Sequence, residues 1–157
     1  MFSKTCEYGL RASIFIAIRS ENGERLGIKE ICREVETPVY FTGKILQALV
    51  KAKLIGSAKG PNGGFYLDPE QRPVSVLEIL EALDGTDFFY NCALGLRDCS
   101  EDHPCPIHYE FRVYREGLKD LLAKTTIQDL AQDIKAGKGH ILNVRVSDAD
   151  SGKEVVK

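Results

Sequence analysis

Two turn signals constrain this chain more than any other feature: Thr37-Pro38, and the run Lys59-Gly60-Pro61-Asn62-Gly63-Gly64. The first is a helix start. A Thr side chain can cap free backbone N–H groups, and Pro suits the first helical position, where no N–H is needed. A helix begun there runs to about Ala52, with Phe41, Ile45, Leu49 and Ala52 as its apolar stripe. Tyr40, Lys44, Gln47 and Lys51 lie off that stripe. Gly43 sits inside this helix at a cost of about 1 kcal/mol relative to Ala, which close approach to another backbone would offset. The second signal separates the short apolar segments Leu54 to Ala58 and Phe65 to Leu67, so the whole reads as a β-hairpin.

Two helices precede this pair. Tyr8, Ala12, Phe15 and Ile18 recur at helical spacing from Thr5 to about Arg19, and Asn22-Gly23 breaks that helix. Ile28 to Val35 is a second, short one, with Ile28, Ile31, Cys32 and Val35 on one face. Three helices and then a hairpin is the order of a winged helix-turn-helix, so the expected fold is mainly α with a small β-hairpin wing.

Downstream, Ser75 to Leu83 is a helix with a capping box (Ser75, Glu78), and Gly85 can end it in a left-handed turn. Residues 86–105 have no period. A long helix follows from about Ile107, with Ile107, Phe111, Tyr114, Leu118, Leu121 and Leu122 as its stripe. This is a candidate dimerisation helix; simple packing onto its own domain is the alternative. Thr126 and Asp129 can cap a last short helix to Lys135. Gly137 to Lys157 is expected to be a flexible tail, although Ile141 to Val146 could pair as a strand. The resulting organisation is a DNA-binding domain over 1–84, a cysteine-containing loop over 85–106, the dimerisation helix and short C-terminal helix over 107–136, and the tail over 137–157.

Charge supports this division. Residues 1–66 hold six lysines and four arginines against six glutamates, a surplus of four positive charges. The whole chain carries −2, so the remainder holds −6. A basic front and an acidic back suit a nucleic-acid-reading part joined to a sensing part. With 43% hydrophobic residues the chain can pack a core. It has no apolar run of the ~20 residues a membrane span needs, and no export signal at its start, which makes the cytoplasm the expected location.

A helix in the major groove reads base edges, while a wing touches backbone or minor groove. The candidate contacts on the third helix are Pro38, Tyr40, Thr42, Gly43 and Lys44, taken to face outward near its start. In the wing they are Lys59, Asn62 and Gly63; at the first helix, Ser3 and Lys4 could reach phosphate.

Five cysteines is an odd count for a secreted disulfide scaffold, and in a reducing compartment clustered cysteines more often mean metal binding or redox chemistry. Cys92, Cys99 and Cys105 are separated by six and five residues. Structural zinc sites use tighter pairs, with roughly two to four residues between. Three thiolates on one wide loop suit an iron–sulfur cluster, 2Fe–2S or 4Fe–4S. His108, three residues after Cys105, could reach back as a fourth ligand; His103 is a weaker candidate. Cys32 falls on an apolar helix face and is assigned to packing, as is Cys6. The chain has no Cys-x-x-Cys, phosphate loop or triad-like grouping, so it is not expected to be an enzyme.

The run Lys44-Ile45-Leu46-Gln47-Ala48-Leu49-Val50-Lys51-Ala52-Lys53-Leu54-Ile55, the wing Lys59-Gly60-Pro61-Asn62-Gly63-Gly64-Phe65 and the start Glu7-Tyr8-Gly9-Leu10-Arg11 resemble the IscR/NsrR family of bacterial winged-helix regulators, over roughly residues 1–135. The resemblance implies a homodimer in which the long helix crosses its partner, bound to double-stranded promoter DNA of partial two-fold symmetry. It also implies a second candidate for the fourth ligand: Glu7, supplied from the first helix of the opposite subunit. One departure is Lys59, where members often carry Arg. Arg suits a narrow minor groove better. The implied function is a regulator, in most cases a repressor, that senses iron–sulfur status, nitric oxide or redox state. The alternatives are a cluster-free repressor controlled by a partner protein or thiol oxidation, and a zinc-bound structural adaptor.

Overall fold

The computed structural model describes residues 2–85, 87–97 and 100–141. Helix α1 (Lys4–Ser20) is the centre of the molecule. Ser3 caps it by accepting from the Cys6 N–H at 3.1 Å. Its middle, from Ala12 to Ile18, is buried all round, because α3, α4 and α6 pack against different sides of it. Gly9 makes one of these crossings possible. A Cβ there would stand 2.4 Å from Leu83 Cδ1 and 3.2 Å from Ile45 Cγ2. Among the described residues, no backbone of the chain approaches Gly43 in this way: a Cβ there would meet nothing within 4 Å.

Helices α2 (Ile28–Glu34) and α3 (Val39–Lys51) form the helix-turn-helix. Pro38 is the N-cap of α3 rather than its first residue. Thr37 is buried and does not cap, its hydroxyl having no hydrogen-bond partner among the described residues. The buried side of α3 is Thr42, Ile45, Leu46 and Leu49. This differs from the expected stripe by a rotation about the helix axis: Leu46 is fully buried and Ala52 exposed. Burying a side chain such as Leu46 or Leu49 stabilises the fold by about 2 kcal/mol.

Strands β1 (Gly56–Ala58) and β2 (Gly64–Tyr66) pair antiparallel, Gly56 opposite Tyr66 and Ala58 opposite Gly64. A third backbone segment joins them. Leu26 and Phe65 exchange N–H···O bonds of 2.9 and 2.8 Å. That pairing demands glycine at position 64, where φ is +150° and a Cβ would lie 2.6 Å from the Leu26 carbonyl oxygen.

Helix α4 (Val76–Asp84) starts in the Ser75–Glu78 capping box and ends at Gly85, with φ +78°. A 3₁₀ turn spans Asp87–Phe89. Helix α5 (His108–Lys124) packs on α4, with Leu122 buried, while Ile107, Phe111, Tyr114 and Leu121 stay exposed. Helix α6 (Ile127–Lys135) opens with a second capping box, Thr126–Asp129. It returns to α1, burying Ile127 and Ala131. Of the segment expected to be a flexible tail, residues 137–141 turn back. Gly137 N–H donates to Ile134, Lys138 N–H donates to Asp133, and Ile141 packs against the core. Ile141 belongs to no strand. The rest of the strand expected over Ile141 to Val146, and of the tail, lies outside the described residues. Among the described residues, no helix is long and apolar enough to cross a membrane.

Candidate nucleic-acid interface and metal centre

The start of α1 positions α3. Tyr8 meets Phe41 edge-on, with ring centroids 5.9 Å apart. The Arg11 guanidinium lies 5.0 Å from the Tyr8 ring and donates to the Val35 carbonyl at 3.0 Å, holding the end of α2. The N-terminal half of α3 is thus fixed from one side and open on the other. On the open side Tyr40 is 78% exposed. The Lys44 ammonium sits 4.5 Å from its ring centroid, so the two present one cationic, aromatic unit. Pro38 is exposed beside them.

Thr42 corrects the expectation. It is fully buried, its hydroxyl has no hydrogen-bond partner among the described residues, and it cannot reach a ligand outside the protein. The apolar methyl of Thr lets it serve as a core residue at this position.

In the wing, Lys59 and Asn62 are exposed at the tip and Gly63 is half-buried. Gly63 is required by close packing, since a Cβ would stand 2.3 Å from the Ala58 carbonyl oxygen. Ser3 and Lys4 are less free than expected. The Ser3 hydroxyl donates to Asp84 at 2.7 Å, and Lys4 pairs with Glu7 at 2.6 Å. Sequence reasoning missed Arg25, which lies 5.3 Å from the Tyr66 ring and lines an open groove with Gly23, Pro61, Asn62 and Gly63. A lone arginine before a single-residue bridge has no periodicity to reveal it.

Cys92 and Cys105 are both buried, each 8% exposed, and neither is in a disulfide. Cys99 lies outside the described residues. Cys105 stands just ahead of α5, where its carbonyl accepts from the His108 N–H at 2.9 Å. The first turn of a helix has unpaired N–H groups that favour a negatively charged neighbour. His108 is buried and stands edge-on to Tyr109, with centroids 5.1 Å apart. His103 is exposed. Glu7 is half-exposed, and its bond from Lys4 holds its carboxyl below the usual range. Among the described residues no three His, Cys, Asp or Glu side chains gather into a metal site. Cys6 and Cys32 are buried in packing positions, as expected. Burial, with Asp84 beside it, pushes the Cys6 thiol up to about 12.

A model of the Rrf2 family, described as iron-dependent transcriptional regulators, matches residues 2–133. The chain belongs to the Rrf2 family. An HTH-type transcriptional regulator of Aquifex aeolicus is 32% identical over 133 residues, covering 83% of this chain and 90% of the relative. The regulator IscR of Klebsiella pneumoniae is 25% identical over 126 residues, covering 80% of this chain and 76% of its own length. The fold is that of CymR (YrzC), the global cysteine regulator of B. subtilis: TM-score 0.69, 22% identity, covering 84% of this chain and 96% of CymR. This Rrf2 protein is therefore a transcription regulator with a winged-helix fold, not an enzyme.

Proposed function

We propose that this Rrf2 protein is a homodimeric repressor of promoter DNA whose affinity is set by an iron–sulfur cluster on Cys92, Cys99 and Cys105. The observation that carries the reading is the burial of Cys92 and Cys105 on a segment tied to α5 at both ends. At one end the Arg115 guanidinium donates to the Asn91 carbonyl at 3.1 Å, and the Lys119 ammonium donates to the Tyr90 hydroxyl at 2.7 Å. At the other, Cys105 leads into the first turn of α5. The donor set fits the group: two buried thiols, that of Cys105 just ahead of a helix N-terminus, with imidazole from His108 or carboxylate from Glu7 of the opposite subunit as fourth ligand. When bound, the cluster supplies a labile, redox-active centre. The protein's part is to hold the segment against α5.

Helix α5 offers the dimer face. Ile107, Phe111, Tyr114 and Leu121 are exposed apolar residues at helical spacing, an unusual surface for a monomer. Pro38, Tyr40, Gly43 and Lys44 then present to the major groove, and Lys59, Asn62 and Gly63 to the backbone or minor groove. Lys4 adds charge near phosphate, while Ser3 contributes through its cap of α1. The basic N-terminal part accords with this reading, which implies a cytoplasmic protein.

The test is DNA affinity in single-cysteine variants. Cys92→Ala, Cys99→Ala and Cys105→Ala should each bind a selected operator duplex differently from the anaerobically purified wild type. Identical binding in all three would end the switch reading. A cluster-free regulator controlled by thiol oxidation or a partner is the second reading.

A further inference from the structure

Arg25 differs from the four arginines of this chain whose guanidinium is held by a carboxylate. Arg19 is bound by Glu24 and Glu30, Arg33 by Glu34, Arg72 by Glu78 and Arg112 by Glu101. No carboxylate among the described residues pairs with Arg25, which is exposed. Two acids that line a groove together with it, Glu24 and Asp68, are engaged elsewhere. Glu24, the adjacent residue, accepts from Arg19 Nε at 3.0 Å, and Asp68 accepts from the Glu70 N–H at 2.9 Å.

The position of Arg25 is nevertheless fixed. Its neighbour Leu26 is fully buried and paired through both backbone groups to Phe65 of β2. The guanidinium lies over the Tyr66 ring at 5.3 Å. Backbone pairing and a stacking platform remove most of the freedom an exposed arginine would lose on binding. The cation stands at the wing, in an open groove whose other walls are Pro61, Asn62 and Gly63.

We propose that Arg25 is a specificity-determining residue of the DNA interface, entering the minor groove beside the wing. The inference rests on the DNA-binding reading above. Its chemistry is that of a narrow, A·T-rich minor groove, whose enhanced negative potential attracts a weakly hydrated guanidinium in preference to an ammonium. Lys59 at the wing tip then supplies charge, and Arg25 supplies the groove preference.

The experiment selects duplexes from a random pool with the full chain, purified anaerobically, and again after cluster removal. It then compares wild type, Arg25→Ala and Arg25→Lys on the selected duplex and on A·T-to-G·C substituted versions. The expected result is about tenfold weaker binding of the selected duplex by Arg25→Ala. Discrimination against G·C at the flanking positions should be lost, and Arg25→Lys should not restore it. An unchanged Kd for Arg25→Ala overturns the proposal. So does an equal loss on every duplex that Arg25→Lys repairs, which marks a phosphate contact instead. If the wild type itself selects no sequence in either form, the DNA-binding reading has failed, and Arg25 with it. Arg25 is exposed, so an unchanged unfolding midpoint for both variants is expected and separates lost contact from lost fold.

Discussion

The Arg115 guanidinium donates to the Asn91 carbonyl at 3.1 Å, so a side chain from the middle of α5 holds the residue next to Cys92. The Lys119 ammonium, one turn further along, adds a bond to the Tyr90 hydroxyl at 2.7 Å and lies 4.6 Å from its ring. In the proposed switch, these two bonds connect the cysteine segment to the helix offered as the dimer face.

Replacing Arg115 by Ala should loosen that connection without unfolding the protein. The contact is exposed, so its loss should cost no more than about 1 kcal/mol. Hydrogen exchange of the segment 90–92 should accelerate, and the cluster colour of the variant should fade faster in air than that of the wild type. Unchanged exchange and unchanged fading would show that α5 does not hold the segment.

Gly64→Ala should be far more damaging. The added Cβ would stand 2.6 Å from a backbone oxygen at a φ of +150°. Strain of this kind costs about 1–3 kcal/mol. Urea unfolding should show that loss, and the wing should no longer support DNA binding. Gly43→Ala, whose Cβ meets nothing within the chain, should instead stabilise the free protein slightly.

The Arg72 guanidinium beside Glu78 holds that carboxyl down at about 2, with Ser75 adding two hydrogen bonds. The folded value is depressed, so the stability it contributes is present above the unfolded carboxylate range. It is lost as pH falls from about 4.5 toward 2. Because Arg72 is mostly exposed, the contribution is discounted to no more than about 1 kcal/mol. Glu78→Gln should be less stable than wild type at pH 7, and the gap should close by pH 2 in denaturant titrations.

Tyr114 is 78% exposed in the single chain, and Leu121 is also exposed two turns along the same face. If that face joins two copies, Tyr114→Glu and Leu121→Glu should sediment as monomers with native circular dichroism. Dimers that survive both substitutions would place the interface elsewhere.

Cys6, pushed up to about 12 by burial and by Asp84, should remain protonated at pH 8. Mass spectrometry after brief alkylation of the native protein should find Cys6 unmodified. Rapid labelling of Cys6 would argue that α1 opens at its start.

Much of this was legible in the sequence because the signals were chemical and local. Both capping boxes, the Gly-Pro-Asn-Gly-Gly turn and the long stripe from Ile107 each dictate one local geometry. What escaped depends on packing. Thr42 lies one residue from exposed Phe41, a 100° step on the helix, and only the neighbours of α3 decide which face is buried. The bridge from Leu26 to Phe65 spans one residue and leaves no alternation to read. Gly9 allows close helix packing because of Leu83, a residue distant in sequence.

The central claim is that Cys92, Cys99 and Cys105 together hold an iron–sulfur cluster. It is tested most directly by purifying the protein without oxygen and measuring visible absorption, iron, zinc and acid-labile sulfide. A brown protein with iron and sulfide in comparable amounts is expected, both lost in Cys92→Ala and Cys105→Ala. A colourless protein that resists reconstitution, or one carrying zinc without sulfide, would contradict it.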